Sequence, residues 1–331
     1  MPRNRWVARL ILLSASSLLA LLVCEAGVRL FLPYYRPSRQ IAFHRNADGV
    51  TLGAPGERVR VSTPKGDWDI EVTFNRYGLR DPKDLAQSQP GDLFVVGDSF
   101  TFGWGLNDGL RYSDLLAEKL GKPVYNIAIP GDLRDYAALL RYAEGHGAKV
   151  ANLIIGVCME NDLKDYRVSD AALPPPARLP LREWMKMHSA LYLCASHVLQ
   201  ARLHTGALLQ KLGIARNVDQ LTGQNIFSEE ILASSRDQVL TLAAGRRAVV
   251  LLIPSRGLWS GGNMEIEKRV HERFAALLGE AGLTVVDMRP HFELSGTPLN
   301  YYFTTDPHWN ATGHAAAAAA LAKPAAGLLA H

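Results

Sequence analysis

From about residue 91 onward the chain repeats one pattern, a short apolar run followed by a stretch with helical spacing. Residues 93–96, 123–129, 151–157, 248–253 and 283–286 are nearly all apolar and read as strands buried on both faces. Between them, residues 112–120 place Leu115, Leu116 and Leu120 on one side of a helix, and residues 133–144 are again helical. A third stripe, Ile266, Val270, Phe274, Leu277 and Leu278, also recurs at helical intervals. Strands alternating with helices predict an α/β domain built on a parallel sheet with helices on both faces.

Two segments break the rhythm. Residues 58–61 and 69–74 alternate polar and apolar around the turn residues Pro64 and Gly66, which predicts a small antiparallel unit beside the main domain. A helical insertion at about residues 165–228 opens with Pro174, Pro175 and Pro176. It continues over residues 181–212 with Trp184, Met185, Met187, Leu191, Tyr192, Val198, Leu199 and Leu203. Arg178, Arg182, Lys186, Arg202, Lys211 and Arg216 make it basic. It reads either as a helical pair packed on the domain or as a lid, or a face that meets anionic lipid or glycan.

The N-terminus changes the compartment. Arg3, Arg5 and Arg9 precede a run, residues 10–24, that carries no charge, and Trp6, Tyr34 and Tyr35 lie near its two ends. The basic end is expected to stay in the cytoplasm, which puts the bulk of the chain across the membrane, on the periplasmic side of a bacterial inner membrane. No good cleavage site follows, so a retained anchor is expected, with a cleaved signal as the alternative and Glu25 and Arg29 as the objection. The expected organisation is therefore residues 1–35 as anchor or signal, 36–90 as the β-containing section and 91–331 as the main domain. A net charge of +4 and a pI near 8.9 are too mildly basic to suggest nucleic acid. Three cysteines give no metal-ligand spacing, although Cys158 and Cys194 could pair in an oxidising compartment.

The candidate chemistry gathers where the strands end, which is where parallel sheets bind ligands. Ser99 follows the first strand at a tight strand-to-helix turn, a position that exposes a nucleophilic hydroxyl, although Asp98 and Ser99 also suit a helix cap. Gly131 follows the second strand, and Asn161 lies just past the third. The N–H groups of Ser99 and Gly131 and the Asn161 amide could stabilise an oxyanion, each contributing on the order of 3 kcal/mol. A serine also needs a base. Asp306-Pro307-His308-Trp309 precedes an alanine-rich helix, and Pro307 keeps Asp306 extended, so that His308 can face Ser99 with Asp306 orienting its ring. Trp309 and Arg256 are candidate substrate contacts, and for the other histidines a structural role is expected.

These residues resemble the GDSL/SGNH hydrolase family: Gly97-Asp98-Ser99, Gly131 after Asn126, Asn161-Asp162, and Asp306 with His308, in order from residue 92 to the C-terminus. The resemblance implies a flavodoxin-like sheet and a metal-free, cofactor-free Ser-His-Asp ester hydrolase, with Ser99, Gly131 and Asn161 as its oxyanion hole. Met159 stands where the family usually has glycine, and only Pro307 separates Asp306 from His308. The Asp-x-His-Trp form is similar to membrane-associated O-acetyltransferases of bacterial exopolysaccharides. The expected function is a serine esterase acting on an O-acylated substrate, a cell-envelope or exopolysaccharide glycan. An acyltransferase to a glycan and a non-catalytic envelope-binding module are the alternatives.

Overall fold

Each of the five apolar runs becomes a strand in the computed structural model, which describes residues 3–63, 65–167, 180–202, 228–260 and 263–330. In chain order the elements begin with helix α1 (Arg3–Phe31), the strands β1 (Phe43–Arg45), β2 (Thr51–Gly53), β3 (Arg58–Ser62) and β4 (Asp69–Thr73). The sheet domain follows with β5 (Leu93–Val96), α2 (Ser99–Phe102), α3 (Tyr112–Leu120), β6 (Val124–Asn126), α4 (Leu133–Gly145) and β7 (Asn152–Cys158). Then come α5 (Pro180–His188), α6 (Ala190–Arg202), α7 (Glu229–Ala243), β8 (Arg247–Ile253), α8 (Met264–Glu280), β9 (Thr284–Asp287), α9 (Met288–Glu293) and α10 (Ala311–Leu329).

The main sheet has the order β6-β5-β7-β8-β9, with every pairing parallel. This is the flavodoxin-like arrangement, in which the chain reverses direction across the sheet between its first and third strands. The two-residue period of a strand sends neighbours to opposite faces. Phe94 and Val96 join a core with α4, α7 and α8, whereas Leu93 and Val95 join one with α3, α9 and α10. The sheet is thus covered on both sides, as its continuous apolar strands require.

The antiparallel pair β3–β4 forms over the expected segment, and its inward residues Val59, Val61, Ile70 and Val72 merge with the first core. A second ribbon, β1–β2, pairs Phe43 with Gly53 and has no counterpart in the sequence reading. Helix α1 is exposed along nearly all its length, and its Arg5–Phe31 stretch, with mean hydropathy 2.2, is long and apolar enough to cross a membrane. Of the insertion, residues 165–167, 180–202 with α5 and α6, and 228 belong to the described residues; residues 168–179, with the triple proline, and 203–227 lie outside them. Cys158, Cys194 and Cys24 are all free, so the possible Cys158–Cys194 disulfide does not form.

Candidate active site

Two glycines shape the turn that carries Ser99. A Cβ on Gly97 would stand 2.2 Å from Thr101 Oγ1 and 3.0 Å from the Gly156 carbonyl oxygen. One on Gly156 would stand 2.3 Å from the same hydroxyl. The absent side chains leave a notch between β5 and β7 in which Thr101 sits, accepting a hydrogen bond from the Tyr112 hydroxyl at 3.0 Å. Seating Thr101 presses α2 onto the end of the sheet. Asp98 caps that helix, accepting the Phe100 N–H at 2.9 Å, so the capping and exposed-serine readings hold together. Ser99 is then the first helical residue, directly beyond the carboxyl end of β5.

The opposite wall is a loop held between Tyr302 and Trp309, which form an isolated antiparallel bridge. The Phe303 N–H donates to the His308 carbonyl at 3.0 Å and the Asn310 N–H to that of Tyr301 at 2.9 Å. Trp309 fixes the base of this loop. It is fully buried, with the Phe100 and Phe292 rings each 5.4 Å away at steep angles. The expectation that Trp309 offers a face to substrate is therefore corrected: its indole is core. Arg256 is half-buried beside the same loop. Its guanidinium donates to the carbonyls of Phe303, Thr304 and Asp306, each at 3.3 Å, and so latches the loop to the end of β8.

Within this frame Ser99, His308 and Asp306 come together. His308 Nε2 lies 2.7 Å from Ser99 Oγ, and His308 Nδ1 lies 2.6 Å from Asp306 Oδ1. The same Asp306 oxygen accepts the His308 backbone N–H at 2.9 Å, which fixes the imidazole relative to its own main chain. Burial pushes the Asp306 carboxyl up, but the hydrogen bond from His308 and its charge outweigh this and hold it below its ordinary value. It therefore remains an acceptor at neutral pH.

Asn161 follows β7, and its Nδ2 donates to Asp98 Oδ2 at 3.0 Å. An amide nitrogen has two hydrogens, so one remains for other use. Gly131 lies five residues beyond β6, just before Asp132. A Cβ there would fall 2.7 Å from the Asp135 side chain, which closes a capping box on α4 with Asp132. Asp98 and Asp162, which the sequence offers only as motif or capping residues, are fully buried carboxyls. Burial pushes Asp98 up against the opposing Asn161 amide; burial, reinforced by the charge of Asp98, pushes Asp162 well up. Asp162 accepts from the Tyr136 hydroxyl and from the Cys158 N–H at 2.8 Å. Half-buried Glu160 accepts the Arg256 N–H at 2.9 Å and the Ser255 hydroxyl at 3.1 Å, tying β7 to the loop latch.

Trp104 was also missed. Its half-buried ring lies 6.1 Å from that of His308 and 6.3 Å from Trp68, which stands at a right angle to it. The only sequence signal was its place between Gly103 and Gly105 shortly after the serine.

The model of the GDSL-like Lipase/Acylhydrolase family matches residues 95–316, a stretch that runs from β5 into α10. No curated protein sequence matches the chain. Among solved structures, similarity is found to a lipase/acylhydrolase from Enterococcus faecalis at 12% identity, over 71% of this chain and 96% of that one, with a TM-score of 0.43. A catalytic mutant of an acetylxylan esterase from Geobacillus stearothermophilus is 14% identical over 72% of this chain and 96% of its own, with a TM-score of 0.40.

Proposed function

Since the chain belongs to the GDSL-like lipase/acylhydrolase family, whose members hydrolyse esters, we propose that Ser99, His308 and Asp306 are its catalytic triad and that it removes acyl groups from a glycan of the cell envelope. The observation that carries the triad is the unbroken chain of hydrogen bonds from Ser99 Oγ through both ring nitrogens of His308 to Asp306.

Ser99 Oγ attacks the acyl carbonyl carbon while His308 Nε2 takes its proton, and Asp306 steadies the imidazolium that forms. The N–H groups of Ser99 and Gly131 and the free hydrogen of the Asn161 amide receive the negative oxygen, with Asp98 holding that amide in place. His308 then protonates the departing sugar oxygen, leaving an acyl-serine. Water attacks this ester with His308 as base, and the acid leaves as the serine is restored. Trp104 supports a sugar substrate, because a half-buried indole beside the imidazole can stack on a pyranose face. Helix α1, with Arg5 and Arg9 on the cytoplasmic side, anchors the domain outside the cytoplasm.

Ser99→Ala is expected to lower kcat for a short-chain aryl ester by several orders of magnitude with an unchanged melting temperature. A serine-directed phosphonate is expected to label the wild type at Ser99 alone. Trp104→Ala is expected to raise KM for an acetylated oligosaccharide far more than for the aryl ester. Turnover retained by folded Ser99→Ala removes the triad, whereas equal KM effects on both substrates remove the glycan.

A further inference from the structure

Glu25 and Arg29, the charges that interrupt the apolar N-terminal helix, are both used by the hairpin formed by α5 and α6. Glu25 accepts hydrogen bonds from the Ser189 hydroxyl at 2.9 Å and from the backbone N–H groups of Ala190 and Leu191 at 2.9 and 2.8 Å. Arg29 pairs with Glu25 at 2.6 Å and donates to the His188 carbonyl at 2.7 Å. The next two N–H groups of α6, those of Tyr192 and Leu193, are answered by the Ser189 side chain and carbonyl. A helix start facing water can leave these donors to solvent. Here the first four are satisfied by protein, as backbone must be where water is scarce.

The position of this junction along α1 gives its depth. Glu25 lies twenty residues beyond Arg5, where the apolar stretch begins, about 30 Å along the axis at 1.5 Å per residue. A hydrocarbon core takes up roughly 20 residues of helix, which puts Glu25 near its outer edge. The outer face of the hairpin suits that depth. Leu181, Trp184 and Met187 recur every third residue along α5 and are 66%, 56% and 63% exposed, and Val198 and Leu199 of α6 are exposed as well. Leu30 and Phe31 at the end of α1 are exposed apolar residues too. A tryptophan among aliphatic residues at this level is the composition of a membrane interface.

Farther along, α6 faces the catalytic loop across a cavity. His197 is hydrogen-bonded to Tyr35, just beyond α1, and lines this cavity of about 230 Å³. Thr63 and Lys65 of the β3–β4 turn and Thr305, Asp306 and Pro307 of the loop complete its lining.

We propose that the α5–α6 hairpin is a membrane-interface element, its turn seated among the lipid headgroups where α1 leaves the bilayer, and that it holds the Ser99–His308 site close to that surface. The substrates best served are then acylated molecules held at the membrane rather than ones free in solution. The proposal rests on α1 being a retained anchor, so the test reads the two separately.

Full-length protein is reconstituted in phosphatidylethanolamine–phosphatidylglycerol vesicles with an environment-sensitive fluorophore on one cysteine: native Cys24, Met187→Cys or Leu294→Cys. Cys194→Ser is present throughout, and Cys24→Ser accompanies the two introduced cysteines. Doxyl-labelled lipid is expected to quench the labels at 24 and 187 several-fold more than the label at 294, and aqueous iodide is expected to show the reverse order. Iodide reaching 187 as readily as 294, with 24 still quenched by lipid, overturns the hairpin proposal and leaves the anchor standing. A label at 187 shielded from both quenchers overturns it in favour of a protein partner on this face. No lipid quenching at 24 removes the anchor and the proposal with it.

Discussion

His314 stands buried in the first turn of α10, stacked on Tyr112, with Nδ1 accepting the Tyr112 N–H at 3.0 Å. Burial, and then the positive charge of Arg111, hold its pKa down to about 3 from an ordinary 6.5. The folded state thus refuses a proton that the unfolded chain accepts. Stability from this residue is complete above pH 6.5 and is lost as the pH falls towards 3. The slope across that window is up to about 1.4 kcal/mol per pH unit. Urea unfolding followed between pH 4 and 7 is expected to show it, and His314→Asn, which keeps an acceptor without a proton site, is expected to flatten it. An equal slope in both proteins assigns the acid sensitivity elsewhere. Asp98 illustrates a different residue-scale economy: one buried carboxylate both caps α2 through Phe100 and orients Asn161.

The small β3–β4 ribbon earns its place through its turn. Asp67 accepts the Thr305 N–H at 2.8 Å and also its hydroxyl, so the ribbon grips the catalytic loop directly before Asp306. Asp67→Ala is expected to lower kcat for the aryl ester about tenfold by loosening Asp306 and His308, with little change in melting temperature because the contact is exposed. A kinetic measurement showing unchanged kcat makes the grip ornamental. Elements of this kind also mark how much the sequence discloses. The sheet strands and their helices are legible because apolar runs and helical stripes are long enough to fix their period. The second strand is shorter than its apolar run, since Ile127 makes a last bond to Val95 and residues beyond it are buried outside the ladder. The β1–β2 ribbon is illegible because three-residue strands carry no period. At the site, Ser99, Asp306 and His308 stand out through turn and proline chemistry near strand ends. Trp309 does not sort itself, because an indole in the core and one on a sugar have the same sequence. Glu160, Asp98 and Trp104 depend on contacts between segments far apart in the chain.

At the scale of the whole molecule, the N-terminal helix is a part of the fold's hydrogen bonding as well as a hydrophobic span. Cleavage after Ala26 would remove Glu25 and leave the Ala190 and Leu191 N–H groups and the Ser189 hydroxyl without their acceptor. Each lost partner of a buried or half-buried donor costs about 1–3 kcal/mol, and the Arg29 guanidinium would lose its only carboxylate partner among the described residues. A signal peptide discarded after export has no reason to carry such contacts, whereas a retained anchor that orients the domain does. The mature protein is therefore expected to keep α1 and to resist extraction from membranes by alkaline carbonate. Intact mass settles the first point: a mature N-terminus near Gly27 makes the helix a cleaved signal. Glu25→Ala addresses the second role. It is expected to leave the protein in the membrane, because one charge fewer makes the span more apolar, while making α5 and α6 more susceptible to limited proteolysis. Undiminished protection of the hairpin in that variant separates membrane insertion from docking and leaves α1 as a plain tether.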